Sequence, residues 1–242
     1  MVFGVHSVLE TLRSGKEVEK IFLQKGLRNE HSQEVSQLAR NRNIPLSIVP
    51  QEKLHRITKK NHQGVICFVS PINYAPLENV VAGIFEKGED PFILVLDGIT
   101  DVRNFGAIAR SAECAGVHAI VIPSKNSAQV NEDAMKTSVG AFNFIPVCRV
   151  HHLEKAIDYL QQSGISVVTC TEKATKNIYN FNYKSPIAIV MGSEETGVSD
   201  EIRKIANQEV KIPMKGQISS LNVSVATSII AFEAVRQRNI ND

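Results

Sequence analysis

The stretch FILVLDGITDVRNFGAIAR, residues 92–110, decides the fold of the larger part of this chain. It opens with an unbroken apolar run, which is typical of a strand buried on both faces of a parallel sheet. A polar turn follows, and apolar residues then recur at helical spacing over residues 104–115 until Gly116 ends the helix. The stretch therefore predicts a strand, a turn and a helix, which is the repeating unit of an α/β domain.

The same alternation continues to the C-terminus and predicts a parallel-sheet α/β domain over residues 91–242. Further strands are predicted at residues 119–122, 144–147, 167–170, 187–191 and 210–212, and helices at residues 131–139, 151–162, 200–206 and 221–238. A dinucleotide-binding fingerprint would be expected after Leu96, but the glycines at 98 and 106 have the wrong spacing for it. A phosphate-binding loop with Lys and Ser or Thr is also absent from the sequence. The pattern thus indicates a fold of the nucleotide-binding type that lacks the usual phosphate-binding loop.

The first 70 residues predict a smaller α/β/α domain. Helices are predicted at residues 5–13, 30–42 and 51–57, and strands at residues 21–23, 46–49 and 65–69. Residues 71–90 contain proline and glycine and are interpreted as a linker with a short helix at residues 77–85. A chain of 242 residues suits two such domains.

Charge is distributed unevenly between the two parts. Residues 1–70 contain eleven Lys and Arg against six Glu and no Asp, a net charge of +5, whereas the remainder has sixteen basic and nineteen acidic residues, a net charge of −3. This asymmetry favours a nucleic-acid-binding module in the first domain, although a solvated charged surface is the alternative. Arg56, Lys59 and Lys60 form a basic stretch near the end of this domain.

Composition excludes several other classes of protein. No apolar run reaches the length of a membrane span, and the N-terminus lacks the basic start and apolar stretch of a signal peptide, so a cytoplasmic protein is expected. The four cysteines form no Cys-x-x-Cys pair. We expect them to be reduced and mostly buried, and we predict no metal site.

Three motif segments lie where predicted strands end: residues 104–110 (NFGAIAR), 191–197 (MGSEETG) and 212–226 (IPMKGQISSLNVSVA). Ligands of α/β proteins bind at the carboxyl ends of the strands, so the segments are candidates for one site. Ser219 or Ser220 also suits the N-cap of the last helix. Arg110 lies six residues after Asn104, nearly two helical turns, so we expect both to project toward one pocket.

In this order, the three segments resemble the signature motifs of the SpoU (TrmH-like) RNA ribose methyltransferases of the SPOUT superfamily. The resemblance extends from about Phe92 to Arg238, and a weaker one links residues 4–10 and 62–65 to the ribosomal-protein-like RNA-binding domain of many members. The weaker resemblance implies the RNA-binding residues Arg56, Lys59, Lys60, His62 and Gln63. It implies S-adenosylmethionine as the methyl donor, a C-terminal trefoil knot and a homodimer. One departure is Asp101-Val102-Arg103, where the family usually has Asp-Pro before the asparagine.

The two-domain layout is similar to that of family members that methylate a guanosine of 23S rRNA, so the expected partner is 23S rRNA or the assembling large ribosomal subunit. Two alternatives stay open. One is 2′-O-methylation of tRNA, and the other is a non-catalytic RNA-binding or ribosome-assembly factor on the same fold.

The resemblance also assigns roles to individual residues. It implies the catalytic residues Asn104, Arg110, Glu195, Ser220 and Asn222 and the cofactor-binding residues Met191, Gly192, Ile212, Met214 and Leu221. Glu194 is interpreted as a solvated loop residue. A guanidinium normally stays protonated, so Arg110 is expected to bind phosphate and stabilise an alkoxide; action as a general base and a plain surface arginine are the alternatives. The dimer interface is predicted on the last helix, at Val225, Ile229, Ile230 and Phe232, and packing of these residues in the core is the alternative.

Overall fold

The computed structural model describes residues 1–218 and 220–239. The chain forms two compact units, of which the first ends at Asn73 and the second begins at Tyr74. Within the described residues, no helix combines the length and the apolar character needed to cross a membrane.

The first unit is a four-stranded sheet with helices against both faces. Its elements in chain order are β1 (Val2–Phe3), α1 (Val5–Arg13), β2 (Val18–Gln24), α2 (Glu30–Asn41), β3 (Leu46–Val49), α3 (Gln51–Ile57) and β4 (Val65–Val69). The strand order is β1-β4-β2-β3, with β2 and β3 parallel and the other pairs antiparallel. Leu9, Leu12 and Val35 of α1 and α2 pack into one core cluster, whereas Leu54 of α3 packs into a second cluster with Ile66 of β4.

The second unit is built on a parallel sheet, as the sequence predicted. Its elements in chain order are α4 (Leu77–Glu86), β5 (Phe92–Asp97), α5 (Val102–Cys114), β6 (Ala119–Pro123), α6 (Glu132–Thr137), β7 (Val147–Val150), α7 (Leu153–Gln162), β8 (Ser166–Cys170), β9 (Lys176–Asn177), β10 (Ile187–Gly192), α8 (Asp200–Ile205), β11 (Gln208–Lys211) and α9 (Val223–Arg238). The strand order is β7-β6-β5-β10-β8-β11-β9, and every neighbouring pair is parallel. The central strands β5 and β10 are almost entirely buried, which explains their unbroken apolar sequences.

Helix α4 belongs to the second unit. Leu77 and Val81 lie in the same core cluster as Ile93 and Val95 of β5. The region predicted as a linker therefore supplies a core helix, and its apolar residues at helical spacing are explained by that packing.

Two predicted elements differ from the structure around residue 145. The strand predicted at residues 144–147 was wrong, because pairing begins only at Val147, which lies opposite Ile120 of β6. Pro146 has no N–H to donate to a strand ladder, although its carbonyl accepts from the Ile120 amide at 2.9 Å. The helix predicted at residues 131–139 ends earlier, at Thr137. Val139 has a positive φ of 52°, which is incompatible with a right-handed α-helix.

Candidate active site

Three neighbouring strands end beside one another at the carboxyl edge of the second sheet. Asp97 of β5 pairs with Gly192 of β10, and Met191 of β10 pairs with Cys170 of β8. The loops that follow these strands are therefore brought together by the strand register itself. In open parallel sheets, this edge is where ligands bind.

A cavity of about 410 Å³ lies at this edge, within the size range of small-molecule sites. Its wall comes from the loops after β8 and β10 and from the segment that precedes α9. Many of the predicted catalytic and cofactor-binding residues line it: Met191, Gly192, Glu195, Ile212, Met214, Ser220 and Leu221. The second and third motif segments thus form one concave site, as the sequence pattern predicted.

The turn after β10 is held by its own backbone. The amide of Ser193 donates to the carbonyl of Gly197 at 3.2 Å, and the amide of Gly197 donates to the carbonyl of Ser193 at 2.9 Å. A Cβ atom on Gly192 would lie 2.0 Å from the backbone of Gly197 and Val198. Only glycine fits at position 192, so one wall of the cavity depends on this residue.

Glu194 joins all three motif segments. Its Oε1 accepts hydrogen bonds from Asn104 Nδ2 at 3.1 Å, from Asn222 Nδ2 at 2.5 Å and from the Val223 amide at 3.1 Å. Asn222 Nδ2 also lies 3.0 Å from Asn104 Oδ1. We call Asn104, Glu194 and Asn222 the polar junction. Since Val223 is the first residue of α9, the carboxylate sits where the helix dipole favours a negative charge.

The polar junction gives Glu194 contacts that the sequence interpretation did not include. Glu194 is solvent-exposed in its turn, as the sequence suggested, and it makes these contacts as well. Glu195 also lines the cavity but does not join Asn104 to Asn222. Adjacent residues in a turn point in different directions, so the sequence alone does not say which glutamate faces Asn104. Asn222 is also the N-cap of α9, accepting from the Ser224 amide at 3.0 Å, and Ser220 is therefore not the cap. Ser219, the other predicted cap, lies outside the described residues.

Arg110 lies apart from the polar junction. Six residues along an α-helix turn a side chain by about 600°, which leaves Arg110 roughly 120° around the axis from Asn104. The expectation that both project toward one pocket stays a prediction. The exposed face of α5 carries Arg103, Arg110 and Cys114, and within the described residues the Arg110 guanidinium has no hydrogen-bond or ion-pair partner.

The cysteines do not supply a nucleophile to the cavity. All four are free thiols: Cys67 and Cys148 are buried, Cys170 is partly buried and Cys114 is exposed. Cys170 lines the cavity, but burial raises the pKa of its thiol to about 12, so the thiol stays protonated near neutral pH. Over the part of the chain that the structure describes, no three His, Cys, Asp or Glu side chains are grouped as a metal site.

The candidate RNA-binding residues of the first unit divide into two groups. Arg56, Lys59 and Lys60 are exposed. His62 is only 4% exposed, and its Nδ1 accepts from the Gly64 amide at 3.0 Å; burial and the neighbouring His55 lower its pKa. Gln63 Oε1 accepts from the Val5 amide at 3.0 Å at the start of α1. His62 and Gln63 thus make hydrogen bonds within the unit, and the three cations together with the exposed Gln63 form the available surface.

Two family profiles match the chain. The profile of the SpoU rRNA Methylase family covers residues 91–232, and a profile described as RNA 2′-O ribose methyltransferase substrate binding covers residues 1–75. The 23S rRNA (guanosine-2′-O-)-methyltransferase RlmB of Pseudomonas aeruginosa is 37% identical over 239 residues, which span 98% of this chain and 96% of that protein.

Solved structures show the same fold. The SpoU methyltransferase AviRb from Streptomyces viridochromogenes, in complex with AdoMet, matches 98% of this chain and 89% of its own with a TM-score of 0.63 and 24% identity. The A. aeolicus TrmH/SpoU tRNA modifying enzyme matches 68% of this chain and 85% of its own with a TM-score of 0.57 and 29% identity. The chain belongs to the SpoU rRNA methylase family of RNA 2′-O-ribose methyltransferases, as the resemblance of its motifs predicted.

Proposed function

We propose that this chain transfers a methyl group from S-adenosylmethionine to the 2′-oxygen of a guanosine ribose in 23S rRNA. The observation that carries the proposal is the convergence of three distant segments on one strand edge, where the polar junction borders the cavity. The choice of 23S rRNA is supported by the Pseudomonas aeruginosa relative, which matches both units.

The cavity suits the proposed methyl donor. Met191, Ile212 and Leu221 offer apolar surface for an adenine ring, while Thr171 and Glu172 offer a hydroxyl and a carboxylate for polar groups. S-adenosylmethionine supplies an activated methyl group on a sulfonium, so the protein has only to hold the two reactants in line and manage the hydroxyl proton. The lining residues are thus assigned to binding and orientation.

The polar junction and Arg110 act on the RNA side. Amide and carboxylate groups of Asn104, Glu194 and Asn222 hold the target nucleotide at the mouth of the cavity. The exposed Arg110 guanidinium binds a neighbouring phosphate and stabilises the negative charge that develops on the 2′-oxygen as its proton leaves. A guanidinium stays protonated under these conditions, so we assign Arg110 electrostatic stabilisation rather than proton abstraction.

The proposal includes a homodimer and a trefoil knot. Val225 and Phe232 on α9 are 47% and 48% exposed, and Ile229 between them is half-buried, which gives one apolar stripe for a second copy of the chain; Ile230 is fully buried and belongs to the core. The knot is supported by two observations: β11 is separated from β5 by β10 and β8, and α9, which follows β11 in the chain, packs against α5, which follows β5.

A tRNA substrate is the second candidate. It is favoured by the tRNA modifying enzyme among the structural neighbours, but that match covers only 68% of this chain. The presence of Asn104, Arg110, Glu194 and Asn222 together argues against a factor that only binds RNA, because binding alone does not require them.

Transfer of radiolabelled methyl groups tests the proposal. Purified protein, S-adenosylmethionine and total RNA from a strain that lacks this chain are combined, and the labelled nucleotide is identified after nuclease digestion. We expect 2′-O-methylguanosine in 23S rRNA and binding of S-adenosylmethionine near one per chain by calorimetry. Folded protein that binds no S-adenosylmethionine would contradict the proposal, and label found only in tRNA would select the second candidate.

A further inference from the structure

One face of the first unit's sheet carries phenylalanine rings with lysine amines above them. Phe3 of β1, Phe22 of β2 and Phe68 of β4 lie in one cluster beside α3, and all three rings are half-buried. We call this surface, together with Lys20, Lys53 and Lys60, the aromatic–lysine face. These residues are far apart in sequence and meet because β4 pairs with both β1 and β2.

The amines lie directly over the rings. Lys20 Nζ is 5.4 Å from the centroid of Phe22 and 5.0 Å from that of Phe68, while Lys53 Nζ is 4.9 Å from the centroid of Phe22. Lys60 Nζ is 5.7 Å from the centroid of Phe3. Phe22 and Phe68 meet edge to face at 5.9 Å. Such contacts are only weakly favourable at exposed sites, so packing alone gives little reason to gather three cations here.

These lysines also lack the ion-pair partners that some arginines of the chain have. Arg236, for example, pairs with Glu233 at 2.8 Å. No carboxylate in the described part of the chain forms an ion pair with Lys20, Lys53 or Lys60. The positive charge is therefore uncompensated, on the unit that also has the basic excess of the sequence. A surface of this kind is complementary to a polyanion.

We propose that the aromatic–lysine face binds a single-stranded segment of the RNA substrate, with bases stacked on Phe22 and Phe68 and with the lysine amines on the adjoining phosphates. The inference rests on the proposed function, since it names how that substrate is held. Stacked aromatic rings combined with cations are the usual means of binding single strands. Each nucleotide carries both a base and a phosphate. The base stacks on a phenylalanine ring, and the phosphate binds the lysine amines, which leave their positions above the rings.

The arrangement selects single-stranded RNA over a duplex. Bases within a duplex are stacked on one another and have no free face for a phenylalanine ring. Exposed Arg56 and Lys59 lie at the end of α3 and in the loop after it, where they extend the cationic surface along a strand of RNA. The sequence pointed to that basic stretch but not to the rings beside it.

Fluorescence anisotropy with a short single-stranded RNA of mixed sequence, and with the same strand in a duplex, tests the inference on the full-length protein. The charge variant is K53Q with K60Q, and its matched control is K16Q with K25Q, two exposed lysines outside the face. The ring variant is F22L with F68L, which keeps apolar side chains at both positions. Thermal unfolding of each variant establishes that the first unit is folded.

We expect the wild-type protein to prefer the single strand. Loss of two phosphate contacts should make the dependence of log affinity on log salt shallower by about 1.4, whereas the control pair leaves it unchanged. The ring variant should bind the single strand about tenfold more weakly or worse, with the salt dependence unaltered. Equal affinity for the single strand and the duplex overturns the inference. A charge variant with the same salt dependence as its control also overturns it. Both tests remain valid if the ring variant fails to fold.

Failure of the inference is distinguishable from failure of the proposed function. If the variants bind RNA like the wild type while the protein still binds S-adenosylmethionine and methylates 23S rRNA, the RNA-binding role proposed for the aromatic–lysine face is wrong and the proposed function stands. If the wild type binds single-stranded RNA on this face but binds no S-adenosylmethionine, the proposed reaction is wrong instead.

Discussion

The cavity of the second unit and the aromatic–lysine face of the first unit are built in opposite ways. The cavity depends on backbone, because strand register and the closed turn at Gly192 place its walls. The aromatic–lysine face depends on side chains, because three half-buried rings and three amines meet on the sheet beside α3. A methyl transfer needs fixed geometry, whereas holding an RNA strand tolerates adjustment. We therefore expect sharp losses from changes in the second unit and graded losses from changes in the first.

The largest effect is expected from Arg110→Ala. Loss of an electrostatic contact in the transition state costs about 100- to 1,000-fold in rate, while S-adenosylmethionine affinity should stay within a few-fold because Arg110 does not line the cavity. Single-turnover methylation and calorimetry measure the two quantities. Arg103→Ala, on the same exposed face of α5, is the matched control. A near-normal methylation rate for the Arg110 variant would mean that Arg110 is an ordinary surface arginine.

Gly192→Ala tests whether backbone places the cavity wall. The added Cβ would lie 2.0 Å from the backbone of the Gly197 turn, which has no flexible side chain that could move aside. Overpacking of this kind costs about 1–3 kcal/mol, so S-adenosylmethionine affinity should fall by up to roughly 150-fold. Gly83→Ala is the control, because a Cβ there meets nothing within 4 Å. Unchanged affinity in the Gly192 variant would mean that the turn is adjustable.

Glu194 and Glu195 provide a comparison within the site. Glu194→Gln removes the charge from a carboxylate with three donors, and bonds to charged groups are stronger than neutral ones by about 1 kcal/mol. We expect methylation to fall about tenfold more for Glu194→Gln than for Glu195→Gln, measured as kcat/KM for RNA. The reverse order would restore the assignment made from the sequence.

The smallest effect concerns the opposite edge of the second sheet. His118 Nδ1 accepts from the Phe92 amide at 2.9 Å, and burial lowers the pKa of this histidine despite the nearby Glu89 carboxylate. The folded state therefore binds the proton less readily than the unfolded state. Stability should be unaffected above about pH 6.5 and should decrease as the pH falls toward the lowered pKa. Urea unfolding at several pH values should show this decrease in the free energy of unfolding in the wild type and not in His118→Gln. His62 adds a decrease of its own in the first unit, which is the same in both proteins.

The sequence predicted those features that depend on local pattern. The apolar run at the start of residues 92–110 is a buried central strand, and the segments after the neighbouring strands do surround one cavity. What local pattern could not supply was the direction of individual side chains. Glu194 and Glu195 are chemically alike, and only the fold decides which of them faces Asn104.

The same limit explains the first unit. His62 and Gln63 follow a basic stretch and suit RNA binding by composition, yet both make hydrogen bonds within the unit. Phe3, Phe22 and Phe68 are separated by many residues and gave no local pattern at all. Antiparallel pairing with β4 puts them side by side, and that pairing is a property of the whole sheet.

Comparison of 2′-O-methylation across all RNA, in cells with and without this chain, tests the central claim most directly. We predict that one guanosine of 23S rRNA loses its 2′-O-methyl group when the chain is absent. The wild-type chain should restore it, and the Arg110→Ala chain should not. An unchanged 2′-O-methylation pattern in every RNA, with the chain expressed in the wild-type cells, would contradict the account.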